Sequence, residues 1–245
     1  MKCILLCAGY ATRLYPLTKD FPKPLLEIGV GKPLLNYIIK RLEKVSDIDE
    51  IVIVTNNKFY NHFLNYSNSV DFNKKITVLN DNTNSNEDRL GVIGDILYAI
   101  DSLSIDDDLL IVAGDSLFDF DLEGFVSYFK KKMSPIVLCE KIDDVSTLKR
   151  VAVAIIDDNN KILELIEKPE EPQSDTAAYA MYLYPKSVVS KFREYLGDSY
   201  TSDMPLLKYI YKKEDVYAYI LKGNFYDIGT HDSLNEVRSI YKNRG

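Results

Sequence analysis

The sequence predicts an α/β fold, a Rossmann-like mixed, mostly parallel central sheet flanked by helices. Three observations lead there. Short apolar runs at 3–7, 50–54 and 109–113 have the unbroken character of parallel strands covered on both faces. Between them, apolar residues recur at helical spacing. Beyond residue 135 the apolar runs crowd together, which extends the parallel core with antiparallel or mixed pairing.

The first strand, Cys3-Ile-Leu-Leu-Cys7, ends on the small pair Ala8-Gly9. Residues 32–42 read as a helix with Leu34, Leu35, Ile38, Ile39 and Leu42 on one face and Pro33 near its start. A strand at 50–54, a helix near 59–66, a strand at 76–79, a helix over 92–103 and a strand at 109–113 continue the alternation. Repeated βα units imply right-handed crossovers. The one long polar loop, Asn80 to Arg89, lies between a strand and a helix rather than between two cores. In the second half, strands are expected at 136–139, 151–156, 162–166 and 178–184, with Asp157-Asp-Asn-Asn160 as a hairpin turn. Helices near 187–196, 204–212 and 231–243 complete a single domain over 1–245.

With 46% hydrophobic residues in 245, the chain can bury a substantial core. Its formal net charge of −7 argues against nucleic acid or an anionic membrane as the main partner. The charge is unevenly spread: residues 1–44 carry eight Lys/Arg against three Asp/Glu. A positive region in an acidic protein suits a small anionic substrate held in one place, although surface helix composition alone gives the same asymmetry. The three cysteines, Cys3, Cys7 and Cys139, lie in apolar runs and read as reduced core residues. With only two histidines, His62 and His231, no Cys/His metal cluster is expected. No run approaches the length of a membrane span and the amino terminus has no secretory pattern, so a cytoplasmic location is expected.

The chemistry begins where the first strand ends. Small side chains at Ala8 and Gly9 let backbone N–H groups approach phosphate oxygens. Arg13, a planar fork, and Lys23, a mobile point charge, can then neutralise a polyphosphate. Neither G-x-x-x-x-G-K-[ST] nor G-x-G-x-x-G is present, which disfavours a P-loop or a standard dinucleotide site. Asp115 directly follows an apolar strand, and Asp227 sits in Phe225-Tyr-Asp-Ile-Gly-Thr230, another strand-end pattern. Two such carboxylates, with phosphate oxygens and water, suit Mg²⁺. Taken singly, Gly114-Asp115 also reads as a turn, and residues 227–230 as a helix N-cap.

The stretch Leu6-Cys-Ala-Gly-Tyr-Ala-Thr-Arg-Leu-Tyr-Pro-Leu-Thr18, followed by Lys23-Pro24, resembles the A-G-G-x-G-x-R-L-x-P-x-T…K-P signature of the sugar-1-phosphate nucleotidyltransferases. Ala8 and Ala11 stand where that family usually has glycine, and Cys7 where it has alanine. The resemblance covers nearly the whole chain and extends to short glucose-1-phosphate thymidylyltransferase-like members. It implies the nucleotidyltransferase fold, with 1–115 mainly the nucleotide-binding half and 116–245 mainly the sugar-phosphate half. Asp115 matches the first metal-binding aspartate, and Asp227-Ile-Gly-Thr230 the D-x-G-T motif that supplies the second.

Further matches follow in family order. Gly91-Val-Ile-Gly94 looks like the L-G-T-x-G segment near the nucleoside. Glu167-Lys168-Pro169 resembles the element whose Lys meets the sugar phosphate and whose Glu reaches sugar hydroxyls. Tyr179-Ala-Met-Tyr-Leu-Tyr184 resembles the T-G-x-Y strand under the sugar, with Ala180 in place of glycine. Asp203 resembles an acidic position of the thymidylyltransferases, where Ser/Asp capping explains the residues equally well. The implied reaction is Mg²⁺-dependent transfer from a nucleoside triphosphate to a sugar 1-phosphate, with glucose 1-phosphate and dTTP the leading pair and UTP, CTP and GTP left open. An alcohol phosphate such as phosphocholine, or a non-catalytic regulatory role, are the alternatives. No hexapeptide repeat of an appended acyltransferase domain is present. Homo-oligomerisation is left open.

Overall fold

The computed structural model describes residues 1–197 and 206–242. The chain enters through β1 (Lys2–Leu6) and a short hairpin of β2 (Glu27–Gly29) and β3 (Lys32–Pro33), followed by α1 (Leu34–Leu42). Next come β4 (Glu50–Thr55), α2 (Tyr60–Ser69), β5 (Lys75–Asn80), α3 (Gly91–Leu103) and β6 (Leu109–Ala113). The strands β5, β4, β1 and β6 are adjacent and parallel. Because β4 lies on one side of β1 and β6 on the other, the chain reverses its winding at β1, and a crevice opens at the carboxyl ends of these strands.

The second half adds β7 (Ser116–Phe118), α4 (Leu122–Lys132), β8 (Ile136–Lys141), α5 (Val145–Leu148), β9 (Ala152–Ile156), β10 (Ile162–Glu167) and β11 (Thr176–Tyr184). After these come α6 (Lys186–Val189), α7 (Phe192–Leu196), α8 (Leu207–Ile210), β12 (Tyr217–Ile220), β13 (Phe225–Asp227) and α9 (His231–Tyr241). The nine-residue β11 joins the halves. It runs antiparallel to β6, β8 and β9, with an irregularity between Ala178 and Tyr182 that shifts its register. The mixed, helix-flanked sheet is the expected architecture.

Alternation along the central strands sends side chains to two cores. Leu5, Ile51, Ile53, Leu110 and Val112 pack with α1, α2, α4 and α9 on one face. Ile4, Val52, Val54, Leu109 and Ile111 pack with α3, α7 and α8 on the other. The predicted face of α1, from Leu34 to Leu42, is wholly buried.

Several elements differ from expectation. Lys32-Pro33 belongs to β3, so α1 starts at Leu34. The predicted helix over 187–196 is two short helices, because the turn between them tightens: Lys191 N–H bonds the Val188 carbonyl at 3.0 Å, an i to i−3 bond. The predicted helix over 204–212 is described only as α8, and that over 231–243 as α9; residues 204, 205 and 243 lie outside the described residues.

The sequence reading missed α4 and β12. The signal for α4 is present: Leu122, Phe125, Val126 and Phe129 recur at helical spacing, behind an Asp121 cap and ahead of three lysines. Gly124 masks it. A Cβ there would lie 2.5 Å from the capping carboxylate, so the cap that starts this helix requires the residue that weakens its propensity.

Candidate active site

The loop leaving β1 is held from several sides. Cys7 N–H bonds the Val54 carbonyl at 2.8 Å, and Asn56 Nδ2 donates to the Ala8 carbonyl at 2.8 Å. Ala11 adopts the left-handed conformation (φ 49°), where its carbonyl accepts from Thr18 Oγ1 at 2.7 Å and from Leu14 N–H at 3.0 Å. Gly9 has open space where a Cβ would stand. These bonds shape a backbone turn around a hollow with Arg13 on its wall.

Gly114 sets the second wall. Its N–H bonds the Leu6 carbonyl at 2.9 Å, and an added Cβ would come within 2.3 Å of Cys7 Sγ. The glycine thus lets the β6 exit press against the β1 exit, which brings Asp115 to the loop. The short β13 completes the arrangement. It pairs antiparallel with β7, Asp227 opposite Ser116, and Ile228 N–H bonds the Asp115 carbonyl at 3.2 Å. Asp115 and Asp227 therefore become neighbours across a strand pair.

Two cations meet them there. Lys23 opens a single turn of 3₁₀ helix, and its ammonium donates to Asp115 Oδ2 and, at 2.8 Å, to the Ile228 carbonyl. The Arg13 guanidinium lies along Gly229, where a Cβ would stand 3.3 Å from Nη2. Burial, and then the Asp115 charge, push the Asp227 carboxyl above its usual range, while Lys23 and Arg13 pull it back. Asp227 retains accessible surface despite this crowding. A carboxylate pair whose like charges are only partly neutralised fits a divalent cation, the remaining coordination falling to phosphate oxygens and water. Among the described residues no group of three His, Cys, Asp or Glu could hold a metal, so a cation here would depend on such shared ligands.

The crevice has two lobes that share Leu6, Gly9, Arg89 and Asp115. One, of about 360 Å³, is lined by Arg13, Lys23 and Asn86 among others. The other, of about 320 Å³, is lined by Ala8, Gly91, Asp95, Ala113, Ala180 and Tyr182. The structure thus gathers Ala8, Gly9, Arg13, Lys23, Gly91, Asp115 and Ala180 on one crevice, with Asp227 against Asp115.

The remaining predicted residues are placed differently. Glu167 ends β10; burial, and then the Glu167 charge, raise the Tyr182 hydroxyl, so Glu167 stands near the second lobe. Lys168 is exposed, left-handed (φ 46°) and 3.7 Å from Glu167, and lines neither lobe. Tyr179 also lines neither lobe. It stacks on Phe225 with ring centroids 4.3 Å apart and donates to Glu140 Oε2 at 2.5 Å. Asp203 lies outside the described residues.

Sequence reasoning missed Asn86, Arg89 and Asp95, and quoted Tyr182 only as part of the Tyr179–Tyr184 strand. The first two sit in a loop whose path no periodicity reveals. Asp95 had a signal, a lone carboxylate amid the buried Ile93, Ile96 and Leu97 of α3.

A doubly wound sheet with small residues, cations and paired carboxylates at its reversal point defines an α/β protein of the kind that holds ligands at a topological switch point. Residues 2–244 match the nucleotidyl transferase family model, and the chain belongs to that family, in agreement with the motifs of the sugar-1-phosphate nucleotidyltransferases. It is 32% identical over 235 residues to Bifunctional protein GlmU of Methanocaldococcus jannaschii, covering 94% of this chain and 51% of that protein. The chain spans about half the length of the curated relatives it matches. A Bacillus anthracis crystal structure, assigned as a glucose-1-phosphate thymidylyltransferase in complex with a sucrose, superposes with a TM-score of 0.83 at 28% identity, covering 99% of this chain and 96% of that one. UDP-glucose pyrophosphorylase complexed with UDP-glucose shares the fold at 22% identity and a TM-score of 0.78, over 98% of this chain and 97% of that one.

Proposed function

We propose that the protein transfers a nucleotidyl group from a nucleoside triphosphate to a sugar 1-phosphate, with Mg²⁺, releasing pyrophosphate. The observation that carries this reading is the meeting of Asp115 and Asp227 through the β7–β13 register, on a crevice that also holds Arg13 and Lys23. In the reaction, a phosphate oxygen of the sugar 1-phosphate bonds to the α-phosphorus as the bond to the β-phosphate oxygen breaks. A phosphate monoester with a second pKa near ~6 is mostly a dianion at neutral pH and needs no general base. The chain's work is then positioning and charge stabilisation.

Arg13 and Lys23 would neutralise the triphosphate and the departing pyrophosphate, with the backbone of Ala8, Gly9 and Gly91 beside the nucleotide. Lys168 would draw in the nucleophilic phosphate, while Glu167, Tyr179 and Ala180 border the sugar. Asp115 and Asp227 would hold Mg²⁺, which when bound offsets the repulsion between two polyanions. Lys23, now paired with Asp115, can turn to the phosphates once that carboxylate has another cation.

The relatives' names differ in base and sugar. A matrix of nucleoside triphosphates against sugar 1-phosphates and phosphocholine, read by pyrophosphate release, tests the reading and identifies the pair. Asp115→Ala and Asp227→Ala are each expected to lower turnover at least about 10²-fold. Turnover near wild type in both variants refutes the metal roles. Nucleotide binding without turnover across the matrix would favour a regulatory protein instead.

A further inference from the structure

At the second lobe, two neighbouring carboxyl groups are left unused by the proposed chemistry. Asp81, just past β5, is 5% exposed, and Asp95, on α3, is 6% exposed. Asp81 Oδ1 accepts from Thr83 N–H and Thr83 Oγ1, both at 2.8 Å. That leaves one sealed, unpartnered oxygen on each side chain, Asp81 Oδ2 and Asp95 Oδ1. The two side chains are within hydrogen-bonding reach of each other. Two ionised carboxylates have no donor to offer one another. A single proton between them satisfies both stranded oxygens at once.

We propose that Asp81 and Asp95 share one proton, and that this singly charged pair is a positioning device for the nucleotide, keeping a second negative charge off the crevice wall and tying the loop after β5 to α3. Asp95 lines the lobe beside Gly91, while Asn86 and Arg89 of that loop line the crevice too. Separation of the pair by repulsion would therefore displace crevice wall, and the added charge would oppose a polyanion. Burial, then the Asp81 charge and hydrogen bond, push the Asp95 carboxyl up to about 8, so the proton is held at neutral pH.

The ionisable surroundings favour retention. Asp88 acts on Asp81 from within the loop, the buried Cys7 thiol feels Asp95 from the end of β1, and Tyr182 of β11 lines the lobe. Arg89 and Asp115 share the crevice, and neither is among the groups that shift Asp95.

The affinity effect rests on the nucleotidyltransferase reading; the shared proton does not. Two measurements on the full chain separate them. Infrared spectra of the unliganded protein near neutral pH are expected to contain a protonated-carboxyl band that disappears in Asp95→Asn. KM and kcat for the nucleoside triphosphate are then followed from pH 6.5 to 9.0. In the wild type KM is expected to rise at least about threefold, approaching tenfold per pH unit above the pair's titration, while kcat changes little. Asp95→Asn, whose amide donates without a titrating proton, should give a flat KM, whereas Asp81→Asn, which leaves the buried Asp95 carboxyl without its charged neighbour, should move the rise to a different pH. Absence of the band overturns the shared proton. An alkaline rise retained in Asp95→Asn, one unmoved in Asp81→Asn, or one seated in kcat, overturns the positioning role alone. No nucleotide binding at any pH would overturn the nucleotidyltransferase reading and this role together.

Discussion

At the scale of single residues, charge controls the crevice. Lys23 serves Asp115 directly and lowers the acidity cost at Asp227, so one ammonium stabilises two carboxylates that would otherwise repel. Asp95 follows a different logic, since it is kept neutral by burial and a like-charged neighbour. The consequence for stability has a definite sign. The folded state holds the Asp95 proton up to about pH 8, whereas an unfolded aspartate loses it near ~4. Stabilisation from this group is therefore complete below the unfolded value and declines as pH climbs to the folded one. The slope is at most about 1.4 kcal/mol per pH unit. Thermal melts should find that Asp95→Asn gains on the wild type between pH 5 and 8 by several degrees, with a constant difference above that range. A difference independent of pH throughout would remove the elevated titration.

At the scale of elements, the exits of β1 and β6 press together at Gly114. The added methyl of Gly114→Ala would strike Cys7 Sγ and stand 3.0 Å from the Leu6 carbonyl. Overpacking of this kind costs about 1–3 kcal/mol, and about 2–4 °C of Tm per kcal/mol in a chain of this size. Adding Cys7→Ala removes the sulfur but not the carbonyl. The double variant should recover part of the lost stability, and a double-mutant cycle should return a favourable coupling. Simple additivity would mean that the strands separate rather than clash. Activity should fall further than stability, because Asp115 is the next residue. The D-x-G-T segment works similarly at close range: Asp227 closes β13, and Thr230 caps α9 in a reciprocal box with Ser233. Both expected meanings of that motif, strand end and helix cap, hold together.

At the scale of the whole molecule, the crevice is assembled from β1, β6, α3 and β11, with β13 set against the β6 exit, elements spread along the chain. A ligand that spans it should couple those elements. Nucleoside triphosphate with Mg²⁺ at a hundredfold excess over Kd would add about 2.7 kcal/mol, a rise of several degrees in Tm. Chelation of the metal, or Asp227→Ala, should remove most of that rise. An undiminished shift would place the nucleotide away from the paired carboxylates.

What the sequence determined unaided was local or periodic. Continuous apolar runs specify buried parallel strands, and the spacing of Leu34 to Leu42 specifies an amphipathic helix, because each pattern is repaid by burial within its own element. Small residues, Arg13 and Lys23 lie close enough in the chain to be read as one phosphate-holding loop, and Asp115 is legible because it ends a strand. Only tertiary structure decided that Asp227 would stand beside Asp115, since a strand register between distant segments leaves no short-range trace. It likewise turned Tyr179 toward Phe225 and Glu140, and brought Asn86, Arg89 and Asp95 to the crevice. The physical reason is range: propensity and patterning act over a few residues, whereas the charges and hydrogen bonds of this crevice join groups that become neighbours only once the sheet has formed.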